Sequence, residues 1–162
     1  MSTPEFVYSS YVRASPEQVW EALTSPELTT RYWGVALESD WDEGSALTWT
    51  EGGVTADDPD QVVVEADRPR RLSYRWHAFT PEWGDAVGID EQVRAAAAAE
   101  PRSTVTFDVV QLDETVKLTV VHGGFEPGSV VLDTVRQGWP AIVSNLKTLL
   151  ETGDTLPFLD TV

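Results

Sequence analysis

The sequence has no cysteine, one methionine and only 11 basic residues. Without cysteine there are no disulfides, no thiolate nucleophile and no cysteine-ligated metal, which fits a cytoplasmic location. Histidine is scarce too: only His77 and His122 are present. With scattered carboxylates they show no ligand-like spacing, so no metal site and no cofactor is expected. The basic residues stand against 27 acidic ones, a net charge of −16. Such a surface repels phosphate backbones and anionic headgroups, which disfavours nucleic acid and membrane surfaces as partners. Long hydrophobic runs are missing, and none approaches the ~20 residues of a membrane span. Met1–Glu5 lacks the basic region and apolar core of a signal peptide. There is no glycine-rich phosphate loop and no serine in a nucleophile elbow. Asp57-Asp58-Pro59-Asp60 is acidic but lacks the spacing and distal glutamate of a calcium loop, so it reads as a solvated turn.

What is present suffices for one packed domain over 1–162, with 41% hydrophobic residues. Its organising stretch is Gly128–Thr152. Val131, Val135, Trp139, Ile142, Val143, Leu146, Leu149 and Leu150 recur at gaps of three and four, the stripe of a helix buried along one side. Ser129 is placed to cap its start and Gly153 to end it. At ~1.5 Å per residue the rod is about 35 Å long, roughly the span of a small domain. Gly138 leaves a gap in its packing surface, and Pro140 removes a backbone bond and is expected to bend it. One outcome is an ordinary buried helix that tolerates a proline; the other is a bend that shapes a cavity.

In chain order, Phe6–Arg13 reads as a strand. Ser15-Pro16-Glu17-Gln18 carries a helix cap, a proline suited to the first turn and a capping-box partner. Ser25-Pro26-Glu27-Leu28 repeats that start, so two short helices follow the strand. Val35–Asp40, Ala46–Glu51, Val62–Ala66 and Leu72–Trp76 read as strands, with Leu47 and Trp49 on one face and Leu72, Tyr74 and Trp76 on another. Gly52–Asp60 reads as an exposed loop. Residues 78–101 interrupt the strands: Asp90 caps an alanine-rich surface helix, and its lead-in Phe79–Gly84 is either a lid or an ordinary loop. Val105–Val109 and Val116–His122 form a hairpin. Residues 154–162 are a tail whose Leu156, Pro157, Phe158 and Leu159 dock on the body or on a second copy. A homodimer through this tail or an edge strand is therefore a candidate assembly. Strand runs flanked by helices make the class α+β: a curved antiparallel sheet of about six or seven strands wrapped around the last helix.

Several stretches together resemble the activator of Hsp90 ATPase homologue family, within the START-like (SRPBCC) helix-grip superfamily. They are Arg13–Thr24, Glu38–Trp41 with Gly44-Ser45, Pro69–Trp76, and Gly138-Trp139-Pro140 with Asn145–Glu151. The resemblance implies a sheet gripping the C-terminal helix with a cavity between them. Relatives in that superfamily bind lipids, hormones and polyketides, and a few are cyclases or hydrolases. The matching residues, such as Trp20 and Gly138-Trp139, are structural in type and do not carry over the co-chaperone activity.

Seven tryptophans in 162 residues stand out. Each joins a large apolar surface to one N–H that needs a partner when buried. Trp49 and Trp139 are expected in cavity walls. The candidate ligand-binding set is Trp49, Trp76, Phe79, Trp83, His122, Val135, Trp139 and Ile142. Strict alternation points His122 inward with Val116, Leu118 and Val120, and sends His77 outward beside Trp76. Three functions follow. The first is binding of an apolar or aromatic small molecule between sheet and helix, without catalysis. The second is a cyclase- or hydrolase-like enzyme with His122 as acid/base, which needs His122 at the cavity beside a carboxylate or hydroxyl. The third is a protein-interaction module, a co-chaperone included.

Overall fold

The computed structural model describes residues 3–157. β1 (Phe6–Val12) is followed by α1 (Pro16–Thr24) and α2 (Pro26–Trp33), then β2 (Ala36–Glu38), β3 (Thr48–Glu51), β4 (Val54–Ala56), β5 (Val63–Asp67) and β6 (Arg71–Arg75). α3 (Pro81–Val87) and α4 (Glu91–Ala99) interrupt the strands, before β7 (Thr104–Leu112), β8 (Thr115–Gly123) and α5 (Val130–Thr152).

Local chemistry sets the helix ends. Ser15 Oγ accepts from the Gln18 N–H while Gln18 Oε1 accepts from the Ser15 N–H, the reciprocal pair expected of a capping box. Asp90 takes the Gln92 and Val93 N–H groups at the start of α4. Ser129 caps α5, and Gly153 ends it in the left-handed conformation. α5 runs unbroken through Pro140. Lacking an N–H, Pro140 leaves the Arg136 carbonyl without its helical donor.

The strands form two antiparallel sheets. The larger has the order β1-β8-β7-β6-β5 and the smaller the order β2-β3-β4, joined through a bridge between Ala46 and Val62. The strand count exceeds the expected six or seven because Gly52–Asp60 is not wholly loop. Gly52 and Gly53 both take positive φ, at 62° and 81°, so the chain reverses in two residues and β4 pairs back on β3. Two such residues in succession make the tight hairpin that matches strand twist.

One face of the larger sheet is buried. Leu72 and Tyr74 of β6, Val105, Phe107 and Val109 of β7, and Val116, Leu118 and Val120 of β8 lie inside, on the alternation read from sequence. α5 packs across this face, with the Trp139 ring 5.5 Å from Phe107. Its far end is tied to the first strand, where Lys147 Nζ donates to the Tyr11 carbonyl at 2.8 Å. Its start is tied to the helical insertion. Ser129 Oγ donates to Glu100 Oε1 at 2.5 Å, and the Val130 N–H donates to Glu100 Oε2 at 2.7 Å. A carboxylate there satisfies free N–H groups and sits at the positive end of the helix dipole.

The lead-in Phe79–Gly84 runs into a helix of its own, α3. Thr80 caps it through the Trp83 N–H and Pro81 takes its first turn. Leu156 is held by Asn145 Oδ1, which accepts its N–H. Phe158 and Leu159 lie outside the described residues. No helix among the described residues is long and apolar enough to cross a membrane.

Candidate functional site

A cavity of about 140 Å³ opens where α2, the small sheet, the end of β6, the insertion and α5 converge. Trp33 comes from α2, Trp49 and Glu51 from β3, Trp76 and His77 from the segment after β6, and Phe79 and Trp83 from the insertion. α5 contributes Val131, Thr134, Val135, Gly138, Trp139 and Ile142. Four of the tryptophans form a connected wall, with Trp33–Trp139 centroids 5.3 Å apart, Trp49–Trp76 4.9 Å and Trp76–Trp139 5.6 Å. Such pairs add about 0.5–1.5 kcal/mol each beyond the area they bury, so the wall is stiff. Gly138 supplies the gap on the helix side. A Cβ there would meet nothing nearer than Ile142 Cδ1 at 3.8 Å.

Beside Thr134, two polar side chains break the apolar lining. Glu51 Oε1 accepts the Trp49 indole N–H at 3.0 Å and the Trp83 indole N–H at 2.8 Å. One oxygen thus fixes two walls from different elements. Oε2 has no protein partner among the described residues, and it is not sealed from solvent.

His77 is the second. It is buried, not outward-facing as strict alternation implied. β6 ends at Arg75, so the two-residue period no longer governs the next side chain. His77 Nδ1 accepts the Phe79 N–H at 3.2 Å, which puts the ring proton of the neutral form on Nε2. Burial lowers its pKa from 6.5 to about 3, helped by the charges of Arg102 and His122, so the ring is neutral at pH 7. It is a hydrogen-bond donor, not a cation. Phe79 holds a left-handed conformation at φ 55°, which costs a non-glycine residue ~1–3 kcal/mol. Its N–H is held by His77, its carbonyl accepts from Arg94 Nη1 at 2.7 Å, and its ring lies 4.2 Å from the imidazole.

His122 points inward as expected, but it does not line this cavity. It sits behind the Trp139 indole. Its Nδ1 accepts the Trp139 Nε1–H at 3.0 Å and its Nε2 bonds Ser103 Oγ at 2.9 Å. Both nitrogens are occupied by packing partners, and burial lowers the pKa to about 3. The expectation of a cavity-facing acid/base His122 is corrected on this geometry. The strand alternation gave its direction rightly, but the cavity is lined by Trp76, 4.7 Å from its ring, and by Trp139, which bonds its Nδ1, and not by His122 itself.

Trp49, Trp76, Phe79, Trp83, Val135, Trp139 and Ile142 are brought together around the cavity. The sequence reading missed Glu51, Trp33, His77 and Thr134. For Glu51 the signal was available: it lies two residues beyond Trp49 on one strand and shares its face. Trp33, the last residue of α2, had none, because only the packing of α2 brings it to the opening. Among the described residues no group of three or more His, Cys, Asp and Glu side chains is arranged to hold a metal.

Comparison with known proteins agrees with this architecture. The model of the family described as activator of Hsp90 ATPase homolog 1-like protein matches residues 13–151. Among solved structures, MLL2253 from Mesorhizobium loti superposes with a TM-score of 0.70 at 23% identity, over 93% of this chain and 99% of that one. The Aha1 dimer from Colwellia psychrerythraea gives 0.67 at 16% identity, over 93% and 98%. CalU16 from Micromonospora echinospora gives 0.63 at 19% identity, over 96% and 79%. At these identities the likeness speaks for the fold alone. No curated protein shows a significant sequence match. The family match runs from just before α1 to the last turn of α5, every element of the helix grip except β1, and the chain belongs to the activator of Hsp90 ATPase homolog 1-like family.

Proposed function

We propose that this protein binds one small apolar or aromatic molecule in the cavity between the small sheet, the insertion and α5. The observation that carries the reading is the lining: five tryptophans and Phe79 with few polar groups among them. Ligand sites have this make-up, an apolar wall for affinity and a few placed polar groups for orientation. A volume of about 140 Å³ is close to that of an apolar cavity known to take up benzene, roughly 150 Å³. The site is also open at one side, so a ligand longer than one ring has somewhere to extend. Phe79 and Trp83, on a segment with its own helix, form the wall through which a ligand enters. The cavity holds no activated nucleophile, and the neutral His77 acts as a donor, so the reading is of binding without turnover.

The test is titration with small aromatic compounds, followed by tryptophan fluorescence and by chemical shifts of the indole N–H groups. The reading expects saturable changes at Trp49, Trp83 and Trp139, lost in a Gly138→Phe variant whose side chain occupies the space. Saturation unchanged in that variant, or no response to any compound, overturns it.

A further inference from the structure

We propose that the ligand of this cavity is an organic cation, a protonated or quaternary nitrogen on an aromatic or short alkyl body, seated between Glu51 and the tryptophan walls. This rests on the reading of the cavity as a ligand site and adds the ligand's charge.

Among the described residues Glu51 is the only acidic side chain in the lining, and no lysine or arginine lines it. Among the described residues Glu51 has no ion-pair partner, although carboxylates elsewhere on this chain, from Glu17 to Glu151, do. Two indole N–H groups hold its Oε1 and orient the group, yet they bring no positive charge, and Oε2 is left to the open space. A half-buried carboxylate held by two neutral donors, with its second oxygen open, is placed to meet a positive group through a charge-assisted bond.

The remaining surroundings select for the same sign. Tryptophan presents a negative π-face, the best of the aromatic surfaces for a cation, and five tryptophans line the site. Two basic groups that reach the backbone of lining residues are committed elsewhere. Arg94 is bound to Glu91 and to the Phe79 carbonyl, and Arg102 to Asp58 and the Trp76 carbonyl. The net charge of −16 raises the local concentration of cations at any opening and repels anions. A carboxylate or sulfonate ligand would bring a second negative charge beside Glu51 in a poorly hydrated site. A neutral hydrocarbon would fit the walls and leave Oε2 unmatched.

The experiment compares two probes of one shape, phenyltrimethylammonium and its neutral isostere tert-butylbenzene, by calorimetry and by indole N–H shifts. The proposal expects the cation to bind about tenfold or more tightly. In Glu51→Gln, which keeps an acceptor for both indoles, the ratio of the two affinities should fall to near one, a readout that any shared change in the walls does not move. Equal affinities on the natural protein overturn the proposal, with no variant needed, and leave the cavity reading standing. So does binding of the neutral probe alone, or a cation margin that survives Glu51→Gln. Failure of both probes overturns the cavity reading as well.

Discussion

The indole N–H of Trp139 donates to Nδ1 of His122 across 3.0 Å, behind the cavity wall. An indole nitrogen only donates, so Nδ1 must be the bare nitrogen, and the ring proton sits on Nε2 and points at Ser103 Oγ, 2.9 Å away. A residue that alternation marked as an acid/base candidate is thereby the strut that holds one wall of the site.

That arrangement makes stability depend on pH. Burial holds both His77 and His122 at about 3, against 6.5 when exposed. The unfolded chain takes up protons near 6.5 and the folded chain does not. The stabilisation is therefore complete above 6.5 and is lost as pH falls from there toward 3. Urea unfolding at pH 7.5 and 5.5 should show a loss of about 2–3 kcal/mol, half of it from each histidine. His122→Gln should reduce the pH slope by about half. A flat profile would mean that protons reach the folded rings freely.

Gly138 is free of any packing requirement, since a Cβ there makes only one ordinary contact, with Ile142. Gly138→Ala should raise stability by about 1 kcal/mol, the usual helix-interior difference. Gly138→Phe should keep the fold and abolish uptake of aromatic probes. Thermal melts and fluorescence titrations of the same two variants separate the effects.

Arg94 pins the left-handed Phe79 through its carbonyl, and Gly84 leaves room for that side chain, because a Cβ at 84 would lie 2.6 Å from Arg94 Cδ. Arg94→Met and Gly84→Ala should both loosen the Phe79–Trp83 wall. Faster ligand exchange, with equilibrium affinity changed less than the rates, is the expected outcome in relaxation-dispersion or stopped-flow measurements. Unchanged exchange rates in both variants would mean that entry runs elsewhere.

Glu100 closes the start of α5 from outside the helix. Glu100→Ala should cost about 1–2 kcal/mol, as the loss of a helix cap does, with Glu100→Gln intermediate. Equal melting temperatures for Glu100→Ala and the parent would show that water satisfies those N–H groups equally well.

Much of the fold was legible because it rests on short-range rules. The capping box at Ser15 and Gln18, the Asp90 and Ser129 caps, the Gly153 stop and the alternation from Val105 to His122 each need only neighbours in the chain. The Gly52-Gly53 turn obeyed the same kind of rule, yet β4 went unseen because its three residues are too short to show a period. His77 illustrates the limit from the other side, since alternation ceases where the strand ends.

Residue pattern by itself determined that a long apolar-striped helix would be gripped by antiparallel strands. That outcome follows from periods of two and 3.6 residues and from backbone groups that must be satisfied locally. Only the tertiary structure decided which side chains share the hollow. Trp33, Glu51, Trp83 and Trp139 span more than a hundred positions of the chain, and their meeting depends on how two sheets, an insertion and a helix pack at once. It likewise decided that His122 serves as a partner for an indole while a carboxylate took the place in the lining, because both ring nitrogens of His122 are held, by Trp139 and by Ser103.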